Sequence, residues 1–406
     1  MGGRAHTVMV QGTTSNAGKS VLTAGICRIL ARRGISVAPF KAQNMALAAT
    51  TLADGGQIGT AQAFQARAAG VEPTSDMNPV LLKPSSQTGS QVIVDGHAVA
   101  HMGVREYHAY QAVAWPHVTA ALVRLRDAYD VVVIEGAGSP AEINLRDRDI
   151  ANMAVALHAS APVILTVDIE RGGAFAQLVG TMDLLTEDER ALVAGFIINR
   201  FRGDASLLDS GIAYLEDRFG IPVIGVVPYL EGWQGDEEDS LAIASLRESS
   251  DADLRIGMVR LPYLTSGNVA VAIAREPDAT VRWVVDPHDL DGIDALVVPG
   301  TTAPEEADRW IVDRGLASAV SAPGAIGVPI VDLRDDGAEA TLSDREVLRA
   351  LLDDLRAARG LPALGPVELE APIDTLADAL ENALALDRLF RIVGIDANLI
   401  EGGRDS

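Results

Sequence analysis

One cysteine, Cys27, is all the thiol that 406 residues carry. A disulfide framework and a cysteine-based metal cluster are therefore both excluded within the chain. Aromatic residues make up only 4% while apolar residues reach 48%, so the core must be built from Ala, Val, Leu and Ile. That balance suits a nucleotide-binding α/β protein better than a β-sandwich. Positive charge is scarce too: 33 Lys and Arg stand against 56 Asp and Glu, a net of −23. The summed field repels nucleic acid and anionic membrane surfaces, and neither is expected as a partner. No apolar run reaches membrane-spanning length, and the opening MGGRAHTVMVQG enters a strand-like stretch without an apolar signal core. A cytoplasmic protein is expected.

Seven histidines are scattered without metal-ligand spacing. His108, in Tyr107-His108-Ala109-Tyr110, suits packing or a substrate contact better than a catalytic base. No G-x-S-x-G elbow is present, so a serine hydrolase has no support. Lysine is the rarest cation, with only Lys19, Lys41 and Lys83. Each lies in a motif-like segment, where a compact ammonium can serve as a point charge for phosphate or carboxylate.

Short apolar runs alternate with amphipathic helical stretches, beginning with a strand at 7–11, a helix at 18–33 and a strand at 35–39. Further strands are expected at 131–135, 162–168, 194–199 and 222–227. The pattern is that of a doubly wound, mostly parallel sheet wrapped by helices, with ligands at the carboxyl ends of its strands. It breaks in an acidic, Ser-containing stretch. A second alternation follows, with strands near 255–261, 281–285, 294–298 and 326–331, and then two helical segments, DREVLRALLDDLRAARG and DTLADALENALALDRLFRIVG. The expected division is 1–232, an acidic linker at 233–253, and a smaller α/β unit at 254–406.

Three strand ends hold the chemistry. Gly12-Thr13-Thr14-Ser15-Asn16-Ala17-Gly18-Lys19-Ser20 follows the first strand and opens the first helix, the context of a phosphate-binding loop. Backbone N–H groups would cradle ATP phosphates, Lys19 would neutralise the outer ones, and the Ser20 hydroxyl would hold Mg²⁺. Five residues precede Gly18 rather than the usual four, and Thr13 takes the ordinary first-glycine position. Val131-Val132-Val133-Ile134-Glu135 ends in an acid before a glycine turn, a Walker-B-like layout in which Glu135 either faces Mg²⁺ or caps the next segment. Asp168 ends another strand and is a similar, weaker candidate for the catalytic set. Asn199 ends FIIN and either reads an adenine edge or sits in a turn.

Against that frame four long strings stand out: Ala38-Pro-Phe-Lys41-Ala-Gln43-Asn44-Met-Ala46, Met77-Asn78-Pro-Val-Leu-Leu-Lys83-Pro84, the segment from Glu135 to Asp149 (EGAGSPAEINLRDRD), and Asn199-Arg-Phe-Arg-Gly-Asp204. Together they resemble cobyric acid synthases over residues 7 to about 230. The resemblance implies a dethiobiotin-synthetase-like P-loop fold and ATP-dependent amidation of peripheral carboxylates of a corrinoid, adenosylcobyrinic acid a,c-diamide, in cobalamin synthesis. The five-residue loop spacing is also how that family is written. Carried over by motif, Lys41, Gln43, Asn44, Asn78, Lys83, Ser90 and Gln91 become candidates for contacting the corrinoid or the transferred phosphoryl group.

The departures are as specific. Where the family writes D-G-G-E-I-G-R-A-Q, this chain has Asp54-Gly-Gly-Gln57-Ile-Gly-Thr60-Ala-Gln62, which makes Asp54 a possible substitute metal ligand. Ala48 replaces a usual Asn. The family's second half is a class I glutamine amidotransferase with a nucleophilic Cys and a catalytic His. Here Asp294-Ala-Leu-Val-Val-Pro-Gly300 matches its approach strand, the nucleophile turn is missing, and Val331 stands at the expected His. Without thiolate or base, thioester formation from glutamine has no chemistry to run on. The expectation is a ligase supplied with free ammonia or with ammonia from a separate glutaminase. The alternative is a non-catalytic ATP-binding paralogue that regulates or scaffolds.

Overall fold

A computed structural model describes residues 5–46, 49–85, 89–230, 252–262, 264, 267–274, 276, 278–301, 303–321, 327–334, 342–360 and 373–395. Ala48 and most of the expected linker, 233–251, fall outside these residues.

The first unit is built on a six-stranded sheet: β1 (His6–Gly12), β2 (Val37–Phe40), β9 (Val131–Glu135), β10 (Val163–Asp168), β11 (Val193–Phe201) and β12 (Val223–Pro228). Its order is β12-β11-β10-β1-β9-β2, and every pairing is parallel. Runs such as VVVIE and VILTVD are buried at every position. That is what a strand covered by helices on both faces requires, and why they read as continuous apolar stretches. One face packs on α1 (Lys19–Ala31) and α2 (Thr60–Ala69), the other on α3 (Val104–Ala128), α4 (Met153–Ala159) and α5 (Ala174–Leu184).

Between β2 and β9 the chain inserts β3 (Gln43–Met45), β6 (Val80–Pro84), β7 (Gly89–Val94) and β8 (His97–Gly103) as a small mixed sheet. Its companion is a two-stranded ribbon of β4 (Ala49–Thr51) and β5 (Gln57–Gly59). From β1 the chain crosses to β2 on one side, and from β9 it crosses back over β1 to β10 on the other. The crevice at β1 is thus the topological switch point, where ligands of such sheets gather.

A second, smaller sheet follows: β13 (Leu254–Val259), β14 (Ala279–Val284), β15 (Ala295–Val298) and β16 (Ile330–Asp332), ordered β14-β13-β15-β16 and parallel throughout. Its apolar core is separate from those of the first sheet. Among the described residues no helix is long and apolar enough to cross a membrane.

The end of the chain departs from the expected division. The segment expected as one helix forms two, Ile373–Ala383 and Leu386–Val393, because the Ala385 N–H bonds to Ile224 O of β12 at 2.7 Å and draws the chain out of helical register. Both helices join the first unit. Leu376, Ala377, Leu380 and Leu389 are fully buried in the core formed by α1 and β1. Each leucine so buried contributes roughly 1.5–3 kcal/mol. Gly25 of α1 lets them approach, since a Cβ there would run into Leu380. Ion pairs Arg28–Asp374, Arg32–Asp378 and Arg33–Glu381 edge the seam. The sequence pattern gave the helicity, but amphipathicity does not say which sheet an apolar face will meet.

Candidate functional site

The parallel register sets the site. Gly12 lies opposite Thr166, Val10 opposite Glu135, and Asp168 opposite Asn199, so the phosphate loop and the three polar strand ends share one edge of the sheet. Thr13 N–H donates to Thr166 O at 2.9 Å, which fixes the start of the loop. Its end turns on Gly18, at φ 90° and ψ 20°, a left-handed conformation where a Cβ would also collide with the Asn199 amide. Helix α1 then begins with no side-chain cap and no acid in its first turn. Its leading N–H groups and positive dipole end therefore face the loop with no acid in the helix's own first turn.

Lys19 is 7% exposed, and its Nζ donates to Thr14 O at 3.1 Å and Gly138 O at 3.0 Å, spanning the loop and the turn after β9. That turn is braced by Asn152, whose Oδ1 accepts from Ala137 N–H at 3.0 Å while Nδ2 donates to Ala137 O at 2.6 Å. Asp149 in turn accepts from the N–H groups of Ala151, Asn152 and Ala154, capping α4.

Glu135 is the hub. It is fully buried, and its Oε1 accepts from Ser20 Oγ at 2.7 Å and from Lys41 Nζ at 2.9 Å. Its Oε2 accepts from Gln65 Nε2 at 2.6 Å and, more loosely, from Gln62 Nε2 at 3.5 Å. Burial alone would raise its pKa. The Lys41 ammonium and the hydrogen bonds from Gln65, Ser20 and Lys41 outweigh it and hold the carboxyl below the usual carboxylate range. An ionised carboxylate beside a hydroxyl is an oxygen-only donor set, the kind a hard divalent cation takes.

Ser15, Asn16, Gly18, Lys19, Ser20, Lys41, Gln43, Asn44 and Glu135 line one cavity of ≈ 830 Å³. That lies toward the upper end of small-molecule sites, which run roughly 300–1,000 Å³. Lys19, Lys41, Arg146, Arg148, Arg200 and Arg260 outnumber Glu135, Glu142, Asp149 and Glu189 among its described lining residues, in a chain whose acids outnumber its bases. The local field thus favours anionic ligands.

Several expected residues are engaged elsewhere. Asn199 Nδ2 donates to Ala17 O at 2.9 Å and its Oδ1 accepts from Arg200 N–H, so the side chain pins the phosphate loop. Asp168 is 2% exposed and pairs with Arg200 Nη1 at 3.1 Å, one strand beyond the loop and outside the cavity lining. Asp54 is exposed in the β4–β5 turn, where its Oδ1 accepts from Gly56 N–H at 2.9 Å; the structure does not bring it to Glu135. Asn78 is fully buried and ties Gly59 N–H to the carbonyls of Lys41 and Val80, each at 3.0 Å, a brace with no face toward the cavity. Lys83 pairs in register with Gln91, and Pro84 with Ser90, on β6 and β7; of the four only Pro84 lines the cavity. Gln43 accepts from Tyr107 OH at 2.6 Å, and burial of that phenol, with Tyr110 nearby, raises its pKa and keeps it a donor. His108 is held by Arg148 at 2.8 Å. Cys27 is fully buried inside α1 and its thiol pKa is pushed up by burial and then by Glu135, so it offers no thiolate.

Sequence reading missed Gln62 and Gln65. Their signal was present: two amides three residues apart in an Ala-rich helix, hence on one face. It also missed Arg200, which lines the cavity at φ 61°. A left-handed arginine leaves no mark in sequence.

Residues 8–240 match the family model described as the CobQ/CobB/MinD/ParA nucleotide binding domain. Among curated relatives, the cobyric acid synthase of Sorangium cellulosum is 52% identical over 321 residues, 78% of this chain and 62% of that protein. The one from Desulforudis audaxviator is 48% identical, covering 81% and 66%, and the one from Rhodococcus jostii 44% identical, covering 93% and 74%. This chain thus spans 62% and 66% of the length of the first two. Among solved structures, chloroplast FtsY from Physcomitrella patens matches 59% of this chain and 62% of that one at 17% identity, with a TM-score of 0.33, too loose a likeness to carry an argument.

Proposed function

The chain belongs to the cobyric acid synthase family, and from that premise we propose that it amidates peripheral carboxylates of adenosylcobyrinic acid a,c-diamide with ATP and ammonia. The observation that carries this reading is the buried Glu135–Ser20–Lys41 cluster beside an uncapped helix start, within a cavity whose lining is rich in cations. ATP phosphates would lie on the N–H groups of the loop and on Lys19. A substrate carboxylate oxygen attacks the γ-phosphorus, ADP leaves, and an acyl phosphate forms. Ammonia then attacks the acyl carbon, phosphate departs, and nitrogen loses a proton to give the amide. Lys19 and Lys41 neutralise charge where two anions must meet, and fixed geometry replaces an improbable encounter. Magnesium, when bound, would supply further neutralisation of the phosphates; Ser20 and Glu135 fit it as oxygen ligands.

The nitrogen arrives from solution or from a separate glutaminase. Residues 254–406 contain no cysteine at all, and the single thiol of the chain sits in the core of the other unit. Purified protein should form amide from the a,c-diamide, MgATP and ammonium, and none when glutamine is the sole nitrogen source. Product from glutamine alone would refute the loss of glutaminase. Absence of product under both conditions would shift the assignment to a non-catalytic paralogue.

A further inference from the structure

The second unit reaches the cavity. Arg260 and Leu261, which follow β13, then Leu264, and Trp283 within β14 line it together with Lys19 and Ser20 of the phosphate loop. Arg260 is exposed, and among the described residues no carboxylate pairs with it. The Trp283 indole N–H is a buried donor without a partner among the described residues, and on α3 the Oε1 of Gln111, another lining residue, is a buried acceptor without one. Orphaned polar groups of this kind cost free energy that a ligand can recover.

Building on the amidation reading, we propose that the second unit is a specificity wall for the acceptor. Leu261, Leu264 and the Trp283 ring cover an apolar macrocycle face, and Arg260 pairs with a peripheral carboxylate. The donor on Trp283 and the acceptor on Gln111 match a ligand that carries carbonyl oxygens and amide N–H groups together, which a partly amidated polycarboxylate does. A sheet that lacks the thiol chemistry of nitrogen release then still has a use, as part of the substrate site. Trp and Arg are also enriched among the residues that dominate binding at protein interfaces.

The test compares Trp283→Ala, Trp283→Phe and Arg260→Ala with wild type, by equilibrium dialysis of the a,c-diamide in the presence of a non-hydrolysable ATP analogue. Trp283→Ala and Arg260→Ala should each weaken acceptor binding about tenfold, the size of one lost anchor, while nucleotide affinity stays within about twofold. Trp283→Phe, which keeps a ring, should recover most of the loss. A methyl-esterified acceptor should lose its sensitivity to Arg260→Ala and keep that to Trp283→Ala. Unchanged acceptor binding in both alanine variants, with wild type still forming amide, overturns this proposal and leaves the amidation reading standing. A wild type that cannot bind the a,c-diamide overturns both.

Discussion

The two parallel sheets of this chain differ most at the carboxyl ends of their strands. In the first, β9, β10 and β11 carry Glu135, Asp168 and Asn199 at or near their carboxyl ends, each buried and each tied to a named partner. In the second, β13, β14 and β15 end in Val259, Val284 and Val298, and Asp332 at the end of β16 is paired with Arg334. Both sheets satisfy the same rule of assembly, buried apolar strands with backbone bonds closed inside the sheet. A fold of this type needs only those strands, whereas chemistry needs polar groups at their ends. The second sheet stands with valines at the ends of three of its four strands.

The contrast can be broken most forcefully at Lys41. Lys41→Met leaves the Glu135 carboxylate buried without its cation, and removal of one partner of a buried pair costs about 3–5 kcal/mol. Chemical denaturation should show that loss, and Lys41→Met combined with Glu135→Gln should recover much of it. In wild type the folded carboxyl is held below its ordinary value. Glu135 therefore stabilises the fold fully above the ordinary carboxylate range, and this contribution is lost as pH falls below that range through the folded pKa. Glu135→Gln should flatten that acid limb, and the penalty of Lys41→Met should shrink in acid as the carboxyl becomes neutral. A penalty independent of pH would mean the pair is not ionised as described. Among the described residues β13, β14 and β15 end in valines, with no such buried pair at their last positions.

Next in size is Lys19→Ala, which removes a charge from the phosphate site and should lower turnover about 10²–10³-fold. Stability should change less than in Lys41→Met, because Lys19 donates to the backbone carbonyls of Thr14 and Gly138 and its loss strands no buried carboxylate. Retention of more than a tenth of wild-type turnover would contradict the loop assignment. Smaller again is Gly25→Ala. Mid-helix alanine is normally favoured by about 1 kcal/mol, yet here the methyl meets Leu380, and overpacking costs typically 1–3 kcal/mol. The sign decides the matter: a stabilised variant would mean the 373–383 helix does not press on α1.

Sequence alone carried much of the first unit, because its signals are local. A strand ending in Gly12 before GKS, and VVVIE before a glycine turn, each place their chemistry within a few residues. What stayed hidden is set by distant packing. Asn78 looks like a substrate contact in its string, and only the fold shows it bracing Gly59 against Lys41. Asp54 looks like a spare metal ligand until the β4–β5 turn carries it into solvent. Gln62 and Gln65 gain meaning from Glu135, some seventy residues further along the chain. The terminal helices could not be assigned to a sheet by pattern, since an apolar helical face suits either.

The smallest expected effect separates the units on chemical grounds. A glutamine-hydrolysing unit requires a thiol that ionises readily at a strand end, within reach of reagents. Here the one thiol, Cys27, lies in the core of the first unit, fully buried, with its pKa raised by burial and by the charge on Glu135. Only thiolate reacts with iodoacetamide, so the native protein should stay unmodified by intact mass and keep its ammonium-dependent turnover after prolonged exposure. Denaturant should expose one reactive site per chain. Rapid labelling of the folded protein, or inactivation on labelling, would contradict the burial of Cys27 within α1.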